Sequence, residues 1–189
     1  MGSISCTFGM FCWSELSSDN GTEARKFYSH VFGWLPSDDG GDLENSFTTW
    51  AVAGRKVAGM VEKSDDQPGP PVWNSFVLVD DLDESTKLAD ANGGQVTLEC
   101  ADVVPFGKMG IIQDPTGAFL TLWEAGSQED AELFSSPGSI AWNELWTADS
   151  SLARQFYSQV WVGRTRRSMQ ATGPITFAWL VTVPTAEFG

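Results

Sequence analysis

Two stretches of this chain, WSELSSDNGTEARKFYSHV at residues 13–31 and WNELWTADSSLARQFYSQV at 142–160, are variants of one another. Trp13 to Trp142, Glu15 to Glu144, Phe27 to Phe156 and Trp50 to Trp179 are all separated by 129 residues. A second interval, of 62 residues, carries Val61 onto Trp123 and Glu62 onto Glu124. Self-similarity at fixed intervals means one supersecondary unit built repeatedly, so the fold must come from pairing small modules around shared sheets.

The module can be read from local signals. Residues 11–17 alternate as a strand, and Asn20 followed by Glu23 forms a capping-box pattern that starts a helix from about Gly21 to Phe32. Gly33 suits the left-handed position past its end. Residues 45–63 read as two strands around a tight Ala53-Gly54-Arg55 turn, and SDDQPGPP then marks a module boundary. The order repeats with WNSFVLV as a strand, Asp81 capping a helix through Asn92, Gly93-Gly94 stopping it, and three further strands. DPTG joins the last two of these, with Pro115 presetting the turn. Each half of residues 11–125 therefore has a βαβββ plan.

Composition narrows the partners. Eleven Lys and Arg against 25 Asp and Glu give a net charge of −14 and a sequence pI near 4.2. Such a field repels phosphate backbones and anionic membrane surfaces, so no nucleic-acid or membrane partner is expected. No window approaches the roughly 20 apolar residues of a membrane span, and the N-terminus lacks a secretory pattern. Cys6, Cys12 and Cys100 form an odd set without metal-like spacing, which suits reduced thiols and a cytoplasmic location. The nine Trp and twelve Phe serve either a packed core or an aromatic-lined ligand site.

The run WSELSSDNGTEARKFYSHVFGW, followed by VAGMV, FVLVDDLDEST, LADANGGQV and IIQDPTGAFLTLW, resembles the vicinal oxygen chelate superfamily of glyoxalases, bleomycin resistance proteins and extradiol dioxygenases. It is most similar to the duplicated bacterial branch, with the second domain truncated. The resemblance implies an α+β fold: tandem βαβββ modules forming a curved, partly open eight-stranded mixed sheet around a cavity, with helices outside. Residues 8–125 are then one complete domain, built of modules 8–65 and 71–125, residues 126–137 a linker, and 138–189 the first half of a second domain. A half domain leaves a sheet edge and apolar side chains uncovered. It either packs on its own chain or pairs in trans, and a homodimer through 138–189 is the expected solution.

Strand parity selects the candidate site. In the first strand Cys12, Ser14 and Leu16 share one side, with Leu16 suiting a helix, which leaves Trp13 and Glu15 on the other. Asn74 with Phe76 and Thr121 with Trp123 fall on inward positions by the same reasoning. Trp50 completes an expected ligand-binding set of Trp13, Trp50, Asn74, Phe76, Thr121 and Trp123, for which core packing is the alternative. The family's metal-ligand positions fall on Trp13, near Gly59, on Asn74 and on Thr121. None supplies the imidazole or carboxylate that a divalent transition metal needs, so no metal or other cofactor is expected.

Glu15 and its repeat Glu144 are the candidates for acid–base work, because a carboxylate among aromatic rings gains proton affinity; the alternative is a structural glutamate satisfied by an Arg or a backbone donor. His30, the single histidine, lies on a helix and is assigned no role, and nothing supports Cys100 as a nucleophile. Two functions follow. One is binding of a small hydrophobic or aromatic ligand without the family metal. The other is glyoxalase-like lyase or isomerase, or dioxygenase-related, chemistry with Glu15 as base and Asn74 with Thr121 polarising an oxygen.

Overall fold

The structure, a computed structural model, describes residues 6–36, 47–64, 67, 69–126 and 136–168, with side chains through 160. Its elements in chain order are β1 (Phe11–Ser18), α1 (Gly21–Phe32), β2 (Leu35–Pro36), β3 (Phe47–Val52), β4 (Arg55–Glu62), β5 (Val72–Val79), α2 (Leu82–Ala91), β6 (Gln95–Val103), β7 (Gly107–Gln113), β8 (Phe119–Ala125) and α3 (Ser150–Ser168). The strands form an open eight-stranded mixed sheet ordered β2-β3-β4-β1-β5-β8-β7-β6. β1 pairs parallel with β4, and the β2–β3–β4 and β6–β7–β8 ladders are antiparallel. Read inward from either end, the order is the same within each βαβββ module, as duplication requires.

The chain divides into two compact units, one containing residues 1–76 and 129–142, the other residues 77–128 and 143–189. In the first, the Asn20 side-chain oxygen accepts from Glu23 N at 3.1 Å, and Gly33 closes α1 at φ 69°. The capping box is half formed, because the Glu23 carboxylate turns outward to Lys26 at 2.8 Å. Ala53 and Gly54 both have positive φ, 51° and 75°, the geometry that a two-residue hairpin turn needs to follow strand twist. Beneath α1, Leu16, Trp34, Trp50, Val57, Ala58 and Met60 form a buried cluster, with Ala24, Tyr28, Val52 and Trp73 packed against it. Tyr28 stacks on Trp34 at 5.6 Å and meets Trp73 edge-on at 5.3 Å, while the Trp73 indole donates to the Tyr28 hydroxyl at 2.9 Å. Trp34 in turn donates its indole N–H to the carbonyl of Gly138 at 2.6 Å, tying residues 136–142 to this unit.

In the second unit Asp81 accepts from Glu84 N at 2.8 Å to start α2. The Glu124 carboxylate accepts from Leu82 N at 2.8 Å. Glu62 holds the matching place in the first unit, its carboxylate so close to Gly21 that an added Cβ would lie 2.7 Å from it. Both modules thus put a strand-end carboxylate at the positive end of their helix. Asp114, 3% exposed, organises the β7–β8 turn: one oxygen accepts from Thr116 N, the Thr116 hydroxyl and Ala118 N, and the other accepts from the Tyr157 hydroxyl at 2.9 Å.

The repeated motif at 142–160 departs from expectation in one respect. Residues 141–145 are not in a strand, and Trp146 alone makes a bridge. Its helix forms as predicted, with Asp149, 129 residues after Asn20, accepting from Ser151 N and Leu152 N. Ala153, Phe156 and Val160 are each 1% exposed, and Phe156 lies against Gly94, so α3 is covered by its own chain. The further strands expected between 169 and 189 lie outside the described residues. Truncating Phe156 to Ala removes the ring packed on Gly94 and is expected to cost about 3–5 kcal/mol, lowering Tm by roughly 10 °C in a thermal melt.

Candidate functional site

The register of β1 with its neighbours builds the site. Glu15 is paired with Gly59 on β4, and Gly59 with Thr49 on β3, so these three share a face of the sheet. Along β1 the even-numbered residues Cys12, Ser14, Leu16 and Ser18 are buried, whereas Trp13, Glu15 and Ser17 are partly open. Leu16 belongs to the cluster under α1, which puts Trp13, Glu15 and Ser17 on the face away from that helix. Asn74 joins them, donating its amide to the Ser17 hydroxyl at 3.0 Å. Phe76, two residues on along β5, is 5% exposed, and its carbonyl accepts from Cys12 Sγ at 3.6 Å.

Gly59 is where the site closes up. A Cβ placed there would lie 2.9 Å from Trp13 Nε1 and 3.2 Å from the Phe47 ring, so two aromatic side chains meet over a glycine. Neither Phe47 nor Ser17 stands out in sequence, because their contribution arises from pairing of β3 with β4 and of Asn74 with β1. The available signal was the alternation of β3 once its register with β4 is known.

Trp50 does not share this face. It pairs with Ala58, which lies on the α1 side, and it is fully buried against Tyr28, Trp34 and Trp73 at ring separations of 5.3, 5.4 and 6.1 Å. Its indole N–H has no hydrogen-bond partner among the described residues. The expectation that Trp50 lines a ligand site gives way to a core role, since one strand position decides between ligand and helix. In the second unit Leu122 pairs with Gly110, which faces Leu82 and Thr86 of α2. Thr121, 2% exposed, and Trp123 therefore occupy the face away from α2, with Trp123 packed over Gly107.

Glu15 carries the unusual electrostatics. No described residue donates a hydrogen bond to its carboxylate or pairs with it in the contacts that define the site, and burial alone pushes its pKa up to about 7. The alternative of a glutamate satisfied by an Arg or a backbone donor thus has no support among the described residues. Glu144, its repeat, is exposed and accepts from the Trp146 indole at 3.1 Å, so the sequence repeat does not reproduce this environment. His30 is exposed in the last turn of α1. Cys6 and Cys12 are buried free thiols, and Cys100 is an exposed one.

The family-type ligand positions offer poor donors. Trp13 carries only an indole N–H, Gly59 has no side chain, Asn74 gives its amide group to Ser17, and Thr121 is a neutral hydroxyl. Among the described residues no group of three or more His, Cys, Asp or Glu side chains converges on one point. This donor set does not fit a divalent transition metal.

A family model for the Glyoxalase/Bleomycin resistance protein/Dioxygenase superfamily matches residues 13–122. The chain belongs to this superfamily. It is 37% identical over 163 residues to CFP32 of Mycobacterium tuberculosis strain CDC 1551, a protein named as a glyoxylase, covering 84% of this chain and 61% of that protein. It is 32% identical over 162 residues to the anthracycline biosynthesis protein DnrV of Streptomyces peucetius, covering 79% and 59%. The chain thus spans about three-fifths of the length of these relatives. The fold is shared with the Mn(II)-bound glyoxalase of Novosphingobium aromaticivorans, at TM-score 0.56 and 18% identity over 82% of this chain and 52% of that one. The 2,3-dioxygenase LapB of Pseudomonas sp. KL28 matches at TM-score 0.54 and 14% identity over 82% and 60%. No helix among the described residues is long and apolar enough to cross a membrane.

The raised pKa of Glu15 has a stability consequence with a defined sign. Its folded value, about 7, lies above the ordinary 4.5, so the native state favours the protonated form. Stability that is fully present below the unfolded pKa is lost as pH rises through the folded one. Relative to the parent, Glu15→Gln should gain about 2 kcal/mol between pH about 5.5 and about 8.5, read from urea denaturation at each pH. Equal effects at both pH values would place Glu15 in contact with water.

Proposed function

We propose that this superfamily member binds a small, flat, hydrophobic or aromatic molecule on the Trp13–Glu15 face, without a bound metal ion. The observation that carries the reading is the single partly buried carboxyl group beside Trp13 and Phe47, with the Asn74 amide held by Ser17 on the same face. Apolar walls with a few oriented polar groups are the usual composition of a small-ligand site. The kinship with a protein named for anthracycline biosynthesis supports an aromatic ligand. Phe76 lines the same face; Thr121 and Trp123 are retained as ligand-binding candidates of the second unit.

A panel of flat aromatic compounds should quench tryptophan fluorescence, and Trp13→Leu should remove most of that response. Silence from every compound would rule the binding function out. Metal analysis of the purified protein should find Zn, Ni, Fe and Mn well below stoichiometric amounts, and one tightly held ion per chain would overturn the donor-set argument.

A catalytic reading is favoured by one specific feature. A carboxyl group with pKa about 7 is an efficient general base near neutral pH, so Glu15 could abstract a proton while Asn74 polarises a neighbouring oxygen, as in glyoxalase-like isomerisation. On any turnover found, Glu15→Gln should lower kcat by about 100-fold or more; an unchanged rate leaves Glu15 out of the mechanism. The three free thiols support a reducing, cytoplasmic setting. Trp142 and Trp146, 57% and 66% exposed, support self-association through residues 138–189, which native mass spectrometry reads directly.

A further inference from the structure

One flank of α1 repeats, in the open, a contact that α3 makes under cover. Ala24, Phe27, Tyr28 and Val31 recur 129 residues later as Ala153, Phe156, Tyr157 and Val160. In both helices the phenylalanine ring meets its tyrosine neighbour edge-on at 5.0 Å, so the two rings project alike. On α3 this flank is closed: Phe156 and Val160 are buried, and a Cβ on Gly94 would stand 2.8 Å from the Phe156 ring. On α1 Phe27 and Val31 are at least half exposed. The same side chains thus form a packing surface in one place and lack a cover among the described residues in the other.

Beside Phe27 runs a groove of about 360 Å³, its largely apolar lining supplied by Leu16, Ala24, Tyr28 and Pro71. The carboxylates at its rim are already compensated, Asp19 by Lys63 at 3.0 Å and Glu23 by Lys26 at 2.8 Å. Two chains that each carry a net charge of −14 repel one another over most approaches, and least where acidic groups are paired in this way. A projecting ring and a groove therefore stand side by side on one helix. Two such helices related by a two-fold axis put each ring over the other's groove, and the contact closes at two copies.

From this arrangement we propose that the Phe27–Val31 flank of α1 is a docking surface for a second copy of the chain, in an antiparallel α1–α1 pair where each Phe27 fills its partner's groove. The surface uses no residue of 138–189 and lies on the helix side of the sheet, away from the Trp13–Glu15 face. It stands independently of the binding function. Two exposed side chains and one groove fall well short of the roughly 800 Å² per partner of a standard interface, so the dimer is weak, with a Kd of about 10–100 μM.

Sedimentation velocity on the full chain from about 1 to about 500 μM tests this, since that range brackets the expected Kd. The parent should pass from monomer to dimer across it. Phe27→Asp should raise Kd at least about tenfold, because a buried carboxylate replaces the ring at the centre of the contact. Val31→Asp, one turn away on the same exposed flank, should do the same, and decides alone if Phe27→Asp fails to melt cooperatively. The pair Trp142→Ser and Trp146→Ser should leave this dimer unchanged. A parent that stays monomeric throughout overturns the proposal. So does a dimer that survives both aspartate variants, and one lost only with Trp142 and Trp146 assigns association to residues 138–189 instead. Tryptophan quenching by the aromatic panel should be the same in Phe27→Asp as in the parent, so failure of the ligand function is read separately.

Discussion

The two-residue period of β1 is the constraint from which the rest of the site follows. Because successive side chains leave a strand on opposite faces, anchoring Leu16 in the cluster beneath α1 commits Trp13, Glu15 and Ser17 to the other face. Gly59 makes that commitment usable: a residue with a side chain there would collide with Trp13 and Phe47. A one-residue slip of β1 would bury Glu15 among Trp34, Trp50 and Met60, at a cost no partner there could offset. The site and the core are thus two faces of one register.

The repeated helix motif illustrates how little a local pattern says about its surroundings. Phe27 and Phe156 hold the same place in Phe-Tyr-Ser, yet Phe27 is 58% exposed and Phe156 1%. Their tyrosine neighbours also diverge. Tyr28 accepts from the Trp73 indole within a cluster of aromatic rings, while Tyr157 donates to Asp114, and burial, aided by the Asp114 charge, drives the phenol pKa upward. In β1 the repeat's Trp-x-Glu-Leu forms a paired strand, whereas at 142–145 it does not, since a strand needs a neighbour to take its hydrogen bonds.

Much of this architecture was legible in advance. Asn20, Asp81 and Gly33 act where capping chemistry puts them, the Ala53-Gly54 turn joins its strands, and the parity of β1, β5 and β8 sorts Trp13, Asn74, Phe76, Thr121 and Trp123 as read. Trp50 was misread because its face depends on whether Ala58 or Gly59 stands opposite, a pairing that strand composition does not encode. Phe47 was missed for the same reason. Glu23 departs from the capping box because Lys26, one turn away, offers a competing charge.

By itself, then, the sequence determined the duplicated βαβββ units, their caps and turns, and the superfamily, because each depends on residue identity or on neighbours a few positions apart. Tertiary structure alone decided which aromatic rings joined the core and which took the opposite face, that Glu15 is desolvated while Glu144 is exposed, and that α3 buries its phenylalanine where α1 exposes one. Burial and register are properties of what lies opposite a residue across the sheet, and in this chain those residues are separated by tens of positions.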